Sequence, residues 1–188
     1  MSKIASRIVT LNKTVLSFPK LFKPEAYAEG EPRFSATFLF DPGSEAAKVA
    51  QQAIDEIIAE QWAGKRPNAL KVCVQEGDAK VAAARNPENY SMYEGKLYVT
   101  ASAKQDRPPI VVDTDGATPL SAASGKVYGG AIAGAIIRLW GQDNKWGVRI
   151  NAELRAVQVQ GAGTPFGSGG RIDTSRYFQA VDEEDWAA

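Results

Sequence analysis

Residues 96–104 read Lys-Leu-Tyr-Val-Thr-Ala-Ser-Ala-Lys, and the alternation in this stretch decides the fold class. Leu97, Val99, Ala101 and Ala103 take one face, and Lys96, Tyr98, Thr100, Ser102 and Lys104 take the other. A period of two puts successive side chains on opposite faces of a half-buried strand. The same period runs through Arg33–Phe40, where Phe34, Ala36, Phe38 and Phe40 oppose Arg33, Ser35 and Thr37. It returns in Val148, Ile150, Ala152, Leu154 and Ala156, which alternate with Arg149, Asn151, Glu153 and Arg155. Ala131–Trp140 and Trp146–Val159 flank Gly-Gln-Asp-Asn-Lys at 141–145, a hairpin signal. Residues 3–12 predict a first strand, and Leu70–Val74 and Ile110–Val112 predict two short ones.

Between the alternating segments the period changes once. Asp41-Pro42-Gly43-Ser44 is a turn ending in a helix N-cap residue. From Glu45 to Trp62 the apolar positions Ala50, Ala53, Ile54, Ile57 and Ile58 share one helical face. Gly64 stops that helix and Pro67 prevents its continuation. Phe18–Pro24, with two prolines, predicts an ordered loop. The polar, Ala-rich Gln75–Asn89 predicts a long loop with one helical turn at most. The chain is therefore mainly β. An OB-fold-like antiparallel barrel with one inserted α-helix fits best, and a β-sandwich is the alternative that pattern leaves open.

Absences narrow the chemistry. The 188 residues contain no His, which removes Ser-His-Asp and Cys-His machinery and His metal ligands. The single Cys73 rules out a disulfide framework or a Cys-rich zinc site, and its apolar surroundings predict an inert core thiol in a reducing compartment. No leader is expected, because Lys3 and Arg7 interrupt the start. The longest uncharged apolar stretch, Val127–Ile137, is far short of the roughly 20 residues of a membrane helix. A cytoplasmic location without membrane contact is expected. No phosphate-binding loop is present: Gly125-Lys126 is followed by Val127. Asp113-Thr114-Asp115 has the spacing of a metal-binding pair, but precedes Gly116, where Asp is an ordinary turn residue. The expectation is no enzyme, no metal and no cofactor.

Charge is segregated along the chain. Lys+Arg and Asp+Glu each number 22, but residues 177–188 hold Asp182, Glu183, Glu184 and Asp185 and no basic residue. Without that segment the chain carries a net charge of +4. Before it, Gly-Ala-Gly-Thr-Pro-Phe-Gly-Ser-Gly-Gly at 161–170 reads as a flexible linker. The organisation is a domain at 1–160, a Gly-rich linker at 161–176 and an acidic-aromatic tail at 177–188. A solvated terminus is one reading of the tail. An interaction segment is the other, favoured by Tyr177, Phe178 and Trp186 beside the acids.

Basic and aromatic residues interleave in four places. The first is the outward face Lys96-Tyr98-Thr100-Ser102-Lys104. The second is the hairpin, with Arg138, Trp140, Lys145, Trp146, Arg149 and Arg155. The third joins Lys20, Lys23 and Arg33 to Phe22 and Tyr27, and the fourth joins Tyr90 and Tyr93 to Lys104 and Arg107. Single-stranded nucleic acid matches this mixture, because cations neutralise phosphates and rings stack on bases. A solvated antiparallel sheet face has a similar composition, and Trp140 and Trp146 also suit a cross-strand core pair. On facing and charge, the candidate DNA contacts are Lys20, Lys23, Arg33, Tyr93, Lys96, Tyr98, Lys104, Arg107, Arg138, Trp140, Trp146 and Arg149.

Several ordered motifs carry a resemblance. They are Ser17-Phe18-Pro19-Lys20-Leu21-Phe22-Lys23-Pro24, Glu31-Pro32-Arg33-Phe34-Ser35-Ala36-Thr37 before a helix, and Tyr93-Glu94-Gly95-Lys96-Leu97-Tyr98-Val99-Thr100-Ala101-Ser102 followed by Arg107-Pro108. Val127-Tyr128-Gly129-Gly130 and an arm ending in the Gly-rich linker follow. In this order the chain resembles phage single-stranded DNA-binding proteins, a group long filed as a domain of unknown function. The resemblance implies an OB-fold, sequence-tolerant binding of single strands and a role in phage replication or recombination. The wider T7-type phage binding proteins carry an acidic tail ending in an aromatic residue. Asp182-Glu183-Glu184-Asp185-Trp186 is similar, except that two alanines follow the Trp. On a flexible linker such a tail is expected to compete with DNA, its carboxylates standing in for phosphates and Trp186 for a base, and when displaced to recruit phage or host replication proteins. Two alternatives are a phage structural or adaptor β-domain without nucleic-acid binding, and a metal-dependent nuclease or transferase using Asp106, Asp113 and Asp115.

Overall fold

The computed structural model describes residues 4–166. Residues 167–176 of the expected linker and the whole expected tail, with Asp182, Glu183, Glu184, Asp185 and Trp186, lie outside the described residues. Eight strands form one sheet: β1 (Ser6–Glu25), β2 (Arg33–Phe40), β3 (Lys71–Val72), β4 (Val74–Glu76), β5 (Leu97–Lys104), β6 (Ile110–Val112), β7 (Ile132–Asn144) and β8 (Gly147–Gly161). Two α-helices accompany them, α1 (Glu45–Gln61) and α2 (Gly77–Ala83), together with 3-10 segments at Pro87–Tyr93 and Ala122–Ser124.

Five of the strands close into a ring. β1 pairs antiparallel with β2 and β7, β2 with β5, and β7 with β8. A parallel bridge from Ser102 to Glu153 joins β5 to β8 and completes the order β1-β2-β5-β8-β7. This is a small barrel of OB type. The second edge of β8 is covered in turn by β3, β5 and β6, all parallel to it, so the long hairpin leaves no open ladder there. The alternating residues behave as their period dictates. Phe38, Val99 and Ala101 are fully buried and meet Leu11, Leu16, Ile137, Leu139, Ile150 and Leu154 in the core. Ser44 caps α1 by accepting from the Ala47 amide at 3.2 Å. Ile54 and Ile57 bury the helix against β1 and β7, an arrangement that removes large apolar area from water.

Three local expectations are corrected. Phe18–Pro24 is strand, not loop: β1 continues through it to Glu25. The ladder breaks between Leu11 and Thr14 and again between Ser17 and Lys20, where Lys13 and Phe18 have φ of 55° and 45°. Such bulges bend the strand, so that β1 serves β7 with one half and β2 with the other. Pro19 and Pro24 fall between paired positions, where a missing N–H costs no ladder bond. The hairpin turn is Lys145-Trp146, later than expected, because Asn144 still pairs with Gly147. Gln75–Asn89 is not a loop but the end of β4, the two-turn α2 and the start of the 3-10 segment. Gly77 makes this possible: its N–H donates to the Lys96 carbonyl at 2.7 Å, and a Cβ there would lie 1.9 Å from the Tyr93 carbonyl oxygen.

The start of the expected linker is also attached to the barrel. Gly161 is the last residue of β8. The Tyr128 hydroxyl donates to the Gly163 carbonyl at 2.9 Å and accepts from the Gly163 amide at 3.0 Å. The Phe166 amide donates to the Gly129 carbonyl at 3.0 Å. Its ring packs on a second cluster formed by Leu39, Tyr93 and Tyr98, so the ordered body reaches at least Phe166.

Candidate nucleic-acid interface

The outward residues of β2, β5, β7 and β8 line a groove of about 730 Å³, walled at one side by β3, β4 and α2. Register explains who meets whom. Arg33 lies opposite Lys104, Ser35 opposite Ser102, and Thr37 opposite Thr100. On the other wall Arg138 lies opposite Glu153, Trp140 opposite Asn151, and Gln142 opposite Arg149. The Ser102–Glu153 bridge joins the two walls, so the floor is continuous. Seven cationic side chains line the groove: Arg33, Lys71, Lys80, Lys104, Arg107, Arg138 and Arg149. Only Asp106 and Glu153 oppose them.

Of those seven, Arg138 is ion-paired, to Glu153 at 3.2 Å; the other six make no ion pair among the described residues. Two are aimed by neighbours instead. Arg33 Nε donates to Ser102 Oγ at 3.1 Å. Lys80 Nζ lies 5.2 Å from the Tyr98 ring centroid and within 5.5 Å of two more tyrosine rings. Amides complete the lining: Asn151 Nδ2 donates to Gln142 Oε1 at 3.1 Å, and Tyr98 donates to Gln75 Oε1 at 2.7 Å. Burial raises the pKa of the Tyr98 and Tyr93 phenols above the usual value, so both are neutral at neutral pH. Unpaired guanidinium and ammonium groups, side-chain amides and a half-buried indole suit a chain of phosphates and bases.

The sequence-derived candidates divide. Arg33, Tyr98, Lys104, Arg107, Arg138, Trp140 and Arg149 are brought together in the groove. Five are not. Tyr93 is fully buried beneath Tyr98 and Tyr90, its hydroxyl 3.1 Å from Ser17 Oγ, and offers no ring face to a ligand. Lys96 is tied to Asp41 at 2.5 Å at the far end of β5. Lys20 is paired with Glu25, and Lys23 is exposed on the last part of β1 away from the groove. Trp146 stands at the hairpin tip, 73% exposed with Lys145 Nζ 5.1 Å from its ring. It does not pair with Trp140, which faces Asn151 instead. Lys71 and Lys80 were missed, because each reaches the groove through an element the sequence pattern does not announce: the parallel β3 and the short α2. Their signal was charge in an otherwise apolar or Ala-rich run.

The acidic alternative does not assemble. Asp113 is bound to Lys126, which holds its carboxyl below the ordinary range, and Asp115 is pulled down to about 2 by Thr118 and two backbone amides. Asp106 sits apart in the groove. Among the described residues no three His, Cys, Asp or Glu side chains are placed to hold a metal ion. Cys73 is not in a strand interior but at the break between β3 and β4, half-buried on the groove wall; burial pushes its thiol up to about 12. No helix among the described residues is long and apolar enough to cross a membrane.

Residues 7–187 match the family described as Enterobacter phage Enc34, ssDNA-binding protein. Protein p50 of Acyrthosiphon pisum secondary endosymbiont phage 1 is 31% identical over 195 residues, covering 96% of this chain and 98% of that protein. The structure of the single-stranded DNA-binding protein from bacteriophage Enc34 in complex with ssDNA is similar with a TM-score of 0.67 and 26% identity, over 85% of this chain and 89% of that one. The single-stranded DNA-binding protein gp2.5 of bacteriophage T7 shares the fold, with a TM-score of 0.53 at 15% identity over 98% of this chain and all of the other (100%).

Proposed function

The chain belongs to the phage Enc34 ssDNA-binding protein family, and on that premise we propose that it binds single-stranded DNA, without sequence preference, in the groove of β2, β5, β7 and β8. The observation that carries this reading is the set of six groove cations with no ion pair among the described residues, placed beside Trp140 and Tyr98. In an OB barrel the face of the second and third barrel strands, with the loops joining strands one to two and four to five, is the usual place for an oligonucleotide. Here those strands are β2 and β5. The loops present Tyr27, 93% exposed, and Trp146. Phosphates take the cations and release counterions, and bases stack on Trp140 and on the loop rings. Stacking accepts any base, because every base has a π-face. The function of the family is binding rather than catalysis.

The tail adds a second layer to the proposal. Phe166 packs on the Tyr98 cluster at the groove wall. Fifteen residues, 167–181, separate it from Asp182, a chain that spans at most about 55 Å. Tethering at that length gives the acidic segment a local concentration of about millimolar. Its carboxylates then compete with phosphate for the groove cations, and Trp186 competes with a base. DNA displaces the tail, which becomes available to phage or host replication proteins. The test is truncation after Gly170. The shortened chain binds oligo-dT more tightly than the full chain, most strongly at low salt. Equal affinities across the salt range would overturn the competition.

A further inference from the structure

A second cleft of about 750 Å³ lies between α2 and the 3-10 segment, and shares Gln75, Lys80 and Tyr98 with the main groove. Its other side chains repeat the chemistry of the groove in smaller form. Tyr90 is half-buried with a ring facing the cleft, Arg85 is exposed at the rim, and Asn86 and Asn89 supply amides. Neither Arg85 nor Lys80 makes an ion pair among the described residues. Lys80 sits at the junction of the two spaces, with Nζ 5.2 Å from the Tyr90 centroid, 5.5 Å from Tyr93 and 5.2 Å from Tyr98. Three rings hold the ammonium in place, yet its hydrogens find no acceptor among the described residues. A fixed cation with unused donors is a site for an anionic oxygen.

We propose that this cleft is an accessory nucleotide subsite: the strand leaving the main groove passes its phosphate over Lys80 and lays the next base against Tyr90, with Arg85 on the following phosphate. The inference rests on the reading of the main groove as a single-strand site. It extends the bound strand by a definite step that the groove alone does not provide. The edge-to-face stack of Tyr90 on Tyr93, with centroids 5.7 Å apart, fixes the platform before any ligand arrives. Glu76 is the one carboxylate at this cleft, and it disfavours a second phosphate near β4, which directs the strand toward Arg85.

The test uses the full chain and oligo-dT strands lengthened one nucleotide at a time, with affinity read by anisotropy. Wild type gains affinity with length and shows one late step of about fivefold or more, the effect of a stacked base. Arg85→Ala and Tyr90→Leu match wild type on shorter strands and lose that late step. Lys80→Ala weakens binding at every length, and its log K against log salt slope is shallower by about 0.7, one phosphate fewer. Arg85 is exposed and makes no side-chain hydrogen bond or ion pair among the described residues, so its variant tests the subsite without disturbing the fold. A late step that persists in both Arg85→Ala and Tyr90→Leu, or a wild type with no late step, overturns the subsite and leaves the main groove intact. Absence of binding at every length overturns the groove itself, and the subsite with it.

Discussion

The groove face and the α1 face of the barrel carry clefts of nearly equal volume, about 730 and 700 Å³, and both are rich in charge. They differ in the balance of charge: seven cations against two carboxylates in the groove, one cation against two carboxylates in the α1 cleft. On the α1 side Arg7 is held by Glu56 at 2.7 Å and Glu60 at 2.8 Å, and Gln52 donates to Glu56 at 3.1 Å. Asp55, Glu56 and Lys48 are the charged residues lining the cleft there, so an approaching phosphate meets two carboxylates against one ammonium. In the groove, six of seven cations make no ion pair among the described residues, and only Asp106 and Glu153 stand among them. Their mutual repulsion works against the fold in the empty state and is relieved when an anion binds. Cleft size therefore does not separate the two faces, and the sign of their charge does.

The most severe way to break this comparison is to reverse the groove. The combined Lys104→Glu, Arg107→Glu and Arg149→Glu variant loses about 100-fold or more in oligo-dT affinity at low salt. Lys48→Glu on the α1 cleft stays within about twofold of wild type. Electrophoretic mobility shifts measure both. Next in size, Trp140→Ala weakens binding by about five- to a hundredfold, the value of one lost stack, and removes most of the strand-induced change in Trp fluorescence that does not come from the hairpin tip. Glu153→Gln sharpens the comparison in the opposite direction. It releases Arg138 and removes a carboxylate from the groove, and tightens binding by about threefold at low salt.

Two smaller effects belong to the paired regions. Arg7→Ala leaves strand affinity unchanged and lowers the thermal midpoint slightly, because an exposed ion pair contributes little. The turn after β6 responds to acid. Asp113 and Asp115 both have folded-state pKa values below the ordinary 3.8, so the stability they add is present above that value and disappears as pH falls through it toward about 2. Asp115→Asn flattens this acid limb in a denaturant titration across pH and leaves oligo-dT affinity at neutral pH as it was.

Much of the barrel is legible in the sequence because period two is a local signal. Phe34–Phe40, Leu97–Ala103 and the β7-β8 arms each declare their buried face without reference to the rest of the chain. Ser44 and the Ile54/Ile57 spacing declare α1 in the same way. Phe18–Pro24 is not legible, since its place in β1 depends on bulges at Lys13 and Phe18 that only the pairing with β2 and β7 defines. The family resemblance read from the motif order agrees with the match over residues 7–187. Within the site, residues on alternating strands fell where their facing put them: Arg33, Tyr98, Lys104, Arg138, Trp140 and Arg149. Lys96 and Tyr93 did not, for reasons sequence does not carry. Asp41 reaches Lys96 from the β2-α1 turn, and Tyr93 is buried beneath α2 by the close approach at Gly77. Lys71 depends on the parallel contact of β3 with β8, which has no sequence period at all.

The most direct measurement is the salt dependence of oligo-dT binding by the full chain. Six groove cations, each neutralising a phosphate of a single strand, predict a slope of log K against log salt of about −4, with saturable quenching of Trp fluorescence at each salt. A slope near zero, or no saturable binding at low salt, would contradict the assignment of the groove.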